Sequence, residues 1–438
     1  MIKRTPLEPW LSQRVFGGRP FAPDALFAWQ LGQLQDTIEY ARARSPFYAK
    51  HLAGVSLPQA YADIAGLPFL GEADIRREGY RMLCLSQGEI ERVVTLNTSG
   101  TAGPSKRLWF TRAEQEEIVD FFHYGISTLA SAGDRVMILL PCERPGSVGD
   151  LLAAALPRLG ALPLRHGPLQ SLPACLRALE EGRANVLVGA PAQVRALAVY
   201  ARDAGRAIRL KSVLLSTDYA SCAAIETIAA QFDCVVFDHY GMTEMGLGGG
   251  VECAAHAGYH LREADLFFEV VDPVSGLPLP EGEYGEVVFS TLRRRGMPLI
   301  RYRTGDISRF LPGPCPCGSH LRRLDNIRRR LGQGAAIGQD TLELCVLDEA
   351  LFRLPDLLDF TACVDHAQAS PCLRVETAVL HGACGPAVVE AALLGVDRIA
   401  RAVESGALTL DVRMRSVSDW PSLHAGKRTL ASLREGGA

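Results

Sequence analysis

The 438-residue sequence has no apolar run of 18 residues and no apolar leader core near its start. Neither a spanning helix nor a secretory signal is therefore expected, and a cytoplasmic protein without a membrane partner follows. Charge of one sign is also missing: 46 Lys+Arg stand against 49 Asp+Glu, a net of -3. That balance gives no global support to a nucleic-acid partner. The five arginines in RRLDNIRRRL, 322–331, lack interleaved aromatics and read as a solvated, partly ion-paired junction. No GxxxxGK[ST] string occurs, which excludes a Walker A loop, and no Gly-x-Gly follows the first α/β strand, which argues against a dinucleotide dehydrogenase. Twelve cysteines are too diluted for a disulfide scaffold.

What is present is a chain too long for one core, so at least two domains are expected. Near-continuous apolar strands over 135–140, 186–188, 212–215 and 235–237 alternate with Ala- and Leu-rich helices over 149–158, 172–181, 192–203 and 222–231. This is the pattern of a parallel sheet covered on both faces. Residues 261–311 change to strands over 267–271, 286–290 and 299–303 with turns between them, and the arginines at 293–295 read as a solvated turn. From 334 a small α+β domain is expected, with helices over 339–352 and 385–394 and strands over 373–379 and 408–415.

The chain is organised around residues 97–107, NTSGTAGPSKR. Gly100 and Gly103 allow a tight turn that presents backbone N–H groups to an anion. Thr98, Ser99, Thr101 and Ser105 add hydroxyls, and Lys106 a positive charge. The run leaves a strand over 90–96 and leads towards a helix over 112–122. Residues 238–244, DHYGMTE, follow an apolar strand, where a carboxyl-end loop opens towards ligand; Glu244 is there a hard oxygen ligand for a cation shared with phosphates. Residues 302–306 read YRTGD and 424–429 read HAGKRT. Cys315 and Cys317 form a CxC pair able to present two thiolates to one soft ion. With Cys253 and His260 they make an S₃N set suited to closed, tetrahedral structural zinc, with His256 as a competing nitrogen ligand.

These motifs, in this order and spacing, resemble the adenylate-forming superfamily, and within it the phenylacetate–CoA ligase branch, to which coenzyme F390 synthetases are also similar. The resemblance covers about residues 35–333 well and the C-terminal part poorly. It implies an α/β fold: a large N-terminal adenylation domain, 1–330, with parallel sheets and a β-rich subdomain, and a small mobile α+β domain, 331–438. It implies an ATP-dependent, AMP-forming acid–CoA ligase that passes an aryl or other compact carboxylic acid through an acyl-adenylate to CoA. The rivals are adenylation with a non-CoA acceptor and a catalytically reduced nucleotide-binding protein. The expected ligands are ATP/AMP, Mg²⁺, CoA and a structural Zn²⁺, and the resemblance leaves room for a homodimer.

By the same resemblance 98–106 is the phosphate loop, with Ala102 where a threonine is usual. Tyr240 and Gly241 border adenine, Thr243 contacts phosphate, and Glu244 holds magnesium. Ser216–Asp218 departs from the family's small-residue segment beside adenine. Asp306 matches the ribose clamp, Arg330 the hinge arginine with Arg329 where a glycine is usual, and Lys427 the small-domain lysine. The hinge aspartate has no counterpart here, although Gly332 or Gly334 would permit rotation. Members of the phenylacetate-ligase-like group carry the three-cysteine, one-histidine set at these places.

Overall fold

The computed structural model describes residues 2–20, 22–96, 105–327, 329–367, 370–380, 384–415 and 428–433. Thr98, Ser99, Gly100, Thr101, Gly103 and Lys427 lie outside the described residues. The fold is a large mixed α/β N-terminal part followed by a smaller α+β part. By contact the chain groups into two compact units: residues 1–129, 144–159 and 239–327, and residues 130–143, 160–238 and 328–438.

In the second unit five parallel strands lie in the order Leu162–Arg165, Arg135–Ile138, Val186–Gly189, Ser212–Leu215 and Val235–Tyr240; the last two residues of the fifth belong to the first unit. Every position of Val186–Gly189 and of Ser212–Leu215 is buried, so their sequences show no alternation. The helices Leu172–Glu181 and Cys222–Phe232 begin where Ser171 and Ser221 accept the N–H of Ala174 and Ala224. The edge strand Leu162–Arg165 escapes sequence reading because it is short, carries Pro163 and is half-exposed.

The C-terminal sheet of this unit runs Thr409–Arg415, Cys372–Val379, Leu357–Asp365 and Ala431–Leu433. The expected helix over 339–352 is corrected. Ala335–Ile337 pairs with Asp340–Leu342 through a two-residue turn in which Gly338 has φ 59°, and the helix is confined to Leu344–Leu351. Arg195, fully buried, donates to the carbonyls of Phe352, Leu354 and Leu357 and thus joins the helix Pro191–Asp203 to this sheet. Arg428 pairs with Asp348 at 2.5 Å and Asp359 at 3.6 Å, and its N–H points to Asp218 at 3.3 Å.

Burial, with repulsion from Asp218 and Asp359, pushes Asp348 up to about 7 against the pull of Arg428. Folded Asp348 therefore keeps a proton that an ordinary aspartate, at 3.8, has given up. Stability from this group is complete below the ordinary value and is lost as pH rises from there to about 7. Unfolding free energy should fall most steeply between about pH 5 and pH 7, by up to about 1.4 kcal/mol per pH unit. Asp348→Asn should flatten that slope, and an unchanged slope would reject the assignment.

In the first unit Leu266–Val271, Gly285–Thr291 and Tyr302–Ser308 form an antiparallel sheet. The expected strand over 299–303 is corrected: Arg301 has φ 54°, which breaks the extended run, and the strand starts at Tyr302. YRTGD thus lies wholly within a strand, where the expected one ended at its second residue. Arg301 and Glu269 are a fully buried pair at 3.1 Å, and Arg301 also donates to the carbonyls of Ala65, Leu67 and Gly276. Glu269→Leu should cost about 3–5 kcal/mol, because it strands the buried guanidinium. Urea unfolding would show this as a lowered midpoint at constant m, and a loss below about 1 kcal/mol would contradict it.

Candidate active site

The glycine-rich stretch does not lead directly into a helix, as its polar run suggests. Arg92–Leu96 pairs antiparallel with Lys106–Phe110, so the stretch joins two strands, and the helix Arg112–Ile126 follows with a capping box of Thr111 and Glu114. The second strand is buried at four of its five positions, Lys106 among them. Beyond Tyr240 the chain turns through a short 3₁₀ element, Thr243–Met245. Gly241 is required at that bend: a Cβ there would stand 2.7 Å from the Leu247 carbonyl oxygen.

Lys106 and Glu244 meet here. Lys106 Nζ is 2.5 Å from Glu244 Oε1 and 3.3 Å from Glu72 Oε2, and the Tyr302 hydroxyl donates to Glu244 Oε1 at 3.2 Å. Glu244 is 2% exposed, which excludes a solvent-facing cap. Burial works against the ionised form of Glu72, but Arg76 and Lys106 outweigh it and hold that carboxyl below its ordinary value. Tyr302 and Asp306 lie on one strand, whose pairing with Gly285–Thr291 slips between Arg303 and Ile307. Gly305 in that irregular stretch takes φ 77°, a conformation that favours glycine. Asp306 accepts the Tyr240 hydroxyl at 2.9 Å, and both residues are buried.

The first unit thus brings together five assigned residues: Lys106, Glu244, Tyr240, Gly241 and Asp306. Thr243 opens the turn that carries Glu244, and Ser105 precedes Lys106. Arg330 lies in the second unit, on the two-residue strand Arg329–Arg330. Sequence reading missed three participants. Tyr302 opens the YRTGD string itself; Glu72, on the helix Glu72–Glu78, carries no such signal. Arg294 hides in the run at 293–295, yet it is buried, so that run is not a solvated turn. Nor is the junction at 322–331 wholly solvated: Arg323 is buried, and Arg322 pairs with Glu263 at 2.7 Å.

Cys253, His260, Cys315 and Cys317 are all buried, and their ligand atoms lie within 4.8 Å of one another. Cys253 Sγ is 3.6 Å from Cys315 Sγ, and Cys317 Sγ is 3.6 Å from His260 Nε2. Burial lowers His260 to about 4, so it is a neutral imidazole at pH 7. His256 is not in the cluster; its Nδ1 faces Glu252 at 3.2 Å.

Residues 91–292 match the AMP-binding enzyme family. The chain is 30% identical over 321 residues to a phenylacetate–coenzyme A ligase of Thermus thermophilus, covering 68% of this chain and 69% of that one. It is 27% identical over 348 residues to a phenylacetate–coenzyme A ligase of Escherichia coli K12, covering 75% of each. In fold it matches a 2-hydroxyisobutyryl-CoA ligase in the postadenylation state with a TM-score of 0.78 at 20% identity, covering 93% of this chain and 90% of that one. The fold and the site therefore define an adenylate-forming enzyme, an ATP-dependent ligase of the acyl-CoA ligase type. Within that superfamily the chain belongs to the phenylacetate–CoA-ligase-like branch. Among the described residues no helix is long and apolar enough to cross a membrane.

Proposed function

We propose that the protein is an AMP-forming carboxylic acid–CoA ligase acting on an aryl or other compact acid. The observation that carries this reading is the buried Lys106–Glu244–Tyr302 group, together with the Tyr240–Asp306 pair in the same unit. A carboxylate oxygen attacks the α-phosphorus of ATP, an acyl-adenylate forms and pyrophosphate leaves. The CoA thiol then attacks the acyl carbon and AMP departs. The chain's part is to neutralise and orient the phosphates. The loop residues Thr98, Ser99, Gly100, Thr101, Gly103 and Ser105 are assigned to the phosphates, with Thr243 beside them. Lys106, now on Glu244, can move to a phosphate oxygen. Tyr240 and Gly241 border the base, and Asp306 can exchange the Tyr240 hydroxyl for ribose hydroxyls.

Glu244, a buried carboxylate and hence a hard oxygen donor, beside the Lys106 cation, fits a magnesium ligand; magnesium would there neutralise phosphate charge. Lys427 and Arg330 are assigned to a mobile small domain, 331–438, as the second cation and the hinge. The four-residue sulfur and nitrogen cluster is assigned to zinc. Thiolate ligands and an ATP substrate both suit a reducing cytoplasm.

ATP–pyrophosphate exchange across a panel of carboxylic acids, followed by thioester analysis with and without CoA, tests the reading. Acid-dependent exchange and an acyl-CoA product are expected. ADP and phosphate as direct products would exclude the class. An acyl-adenylate that no CoA discharges would move the assignment to another acceptor.

A further inference from the structure

Arg294 is 7% exposed and has no carboxylate within hydrogen-bonding distance among the described residues. Its Nη1 donates to the backbone carbonyl of Glu244 at 2.8 Å and its Nη2 to that of Trp109 at 3.3 Å. Its guanidinium lies 4.3 Å from the centre of the Phe110 ring, and its Nε has no partner among the described residues. Beside it is a cavity of about 40 Å³, which Phe110, Met245 and Gly246 help to line. A buried guanidinium that meets only neutral acceptors and one ring face is costly, and a methionine would fill the same space without that cost.

The two carbonyls identify what the cost secures. Trp109 is on the strand that begins with Lys106, and Glu244 is on the facing turn. The same two segments meet in front through the Lys106–Glu244 contact at 2.5 Å. Arg294 ties the same two segments a second time, through the carbonyls of Trp109 and of Glu244 itself. Its own loop is fixed as well: Glu114 accepts the N–H groups of Arg295 and Gly296, each at 2.8 Å, and that of Thr111 at 2.8 Å. The brace is thus rigid on both sides.

We propose that Arg294 is a positioning residue that sets the spacing between the Lys106 strand and the Glu244 turn, so that both side chains meet magnesium–ATP in register. The proposal rests on the nucleotide reading given above. Arg294→Met keeps the bulk and loses both donors; a displacement of this kind lowers exchange roughly 100-fold. The magnesium needed for half-saturation should rise several-fold, while the KM for the acid stays unchanged. Arg294→Lys restores one donor and should recover about tenfold of that loss, one hydrogen bond's worth. Because Arg294 acts partly through Glu244, the double variant with Glu244→Gln should lose clearly less than the product of the two single losses.

A brace of structural value only would lower the melting temperature yet leave the magnesium response per folded molecule unmoved, and that result overturns the proposal. If Arg294→Met does not fold, Arg294→Lys alone decides by the same response. Calorimetric binding of ATP with magnesium to wild type and to Arg294→Lys gives the contrast without turnover. Wild type that exchanges with no acid defeats the functional reading, and equal magnesium-dependent binding by the two proteins defeats the positioning role.

Discussion

Replacing Glu244 with glutamine should lower ATP–pyrophosphate exchange by roughly 100- to 1,000-fold, the usual effect of removing one preorganised electrostatic contact from a dry site. The size follows from burial: Glu244 is 2% exposed, so water cannot take over its charge. Two losses combine in this variant. Lys106 forfeits its 2.5 Å partner and keeps only Glu72 at 3.3 Å, and a cation at the site forfeits an oxygen ligand. Magnesium dependence separates them. A lost ligand moves half-saturation to higher magnesium, whereas a misplaced Lys106 lowers the rate at every magnesium concentration equally. Glu72→Gln is the matched control, since it also takes a carboxylate from Lys106 but at a side chain 43% exposed, and it should cost under about 1 kcal/mol. Exchange by Glu244→Gln that equals wild type at all magnesium concentrations would remove Glu244 from the site.

The sequence made the parallel sheet legible because strands buried on both faces are written as unbroken apolar runs, as in Val186–Gly189. The three motif strings could be picked out as well, by residues of related chemistry close together in sequence. Their geometry could not. Lys106 and Glu244 are far apart in sequence, and only tertiary pairing places them 2.5 Å apart. Tyr302 was hidden by a boundary error: a strand placed over 299–303 ends inside YRTGD, whereas the backbone at Arg301 starts the strand at Tyr302 and carries it through the whole motif. In the C-terminal part, LLDFTACVD mixes two acidic residues with small and apolar ones, so the strand Leu357–Asp365 carries no clean alternation. Arginine was the least legible residue. Arg195, Arg294 and Arg301 are all buried on backbone carbonyls, and no local pattern separates them from solvated neighbours.

Metal analysis of tag-free protein should find about one zinc per chain, and Cys315→Ser should abolish it at a cost of about 4–5 kcal/mol or more in stability. The geometry leads to this number of ions. A tetrahedral zinc with Zn–S of about 2.3 Å and Zn–N of about 2.0–2.1 Å separates its ligand atoms by roughly 3.6–3.8 Å. The Cys253–Cys315 and Cys317–His260 distances are both 3.6 Å. Backbone N–H groups of Ala255 and Cys317 point at the sulfurs of Cys253 and Cys315, at 3.4 and 3.5 Å, as donors that favour thiolate. With four protein ligands no position would stay open for substrate, so a zinc held here would be structural. The cluster is tied to the candidate active site through the sheet: His260 pairs in register with Val251, and Gly250 beside it pairs with Tyr240. Chelation should therefore loosen the Tyr240–Glu244 turn, so that zinc loss and falling exchange follow one time course. His256→Ala should keep full zinc, because that ring is on Glu252. Folded, active protein without stoichiometric zinc would reject the site, and zinc retained in Cys315→Ser would show that another set of ligands holds it.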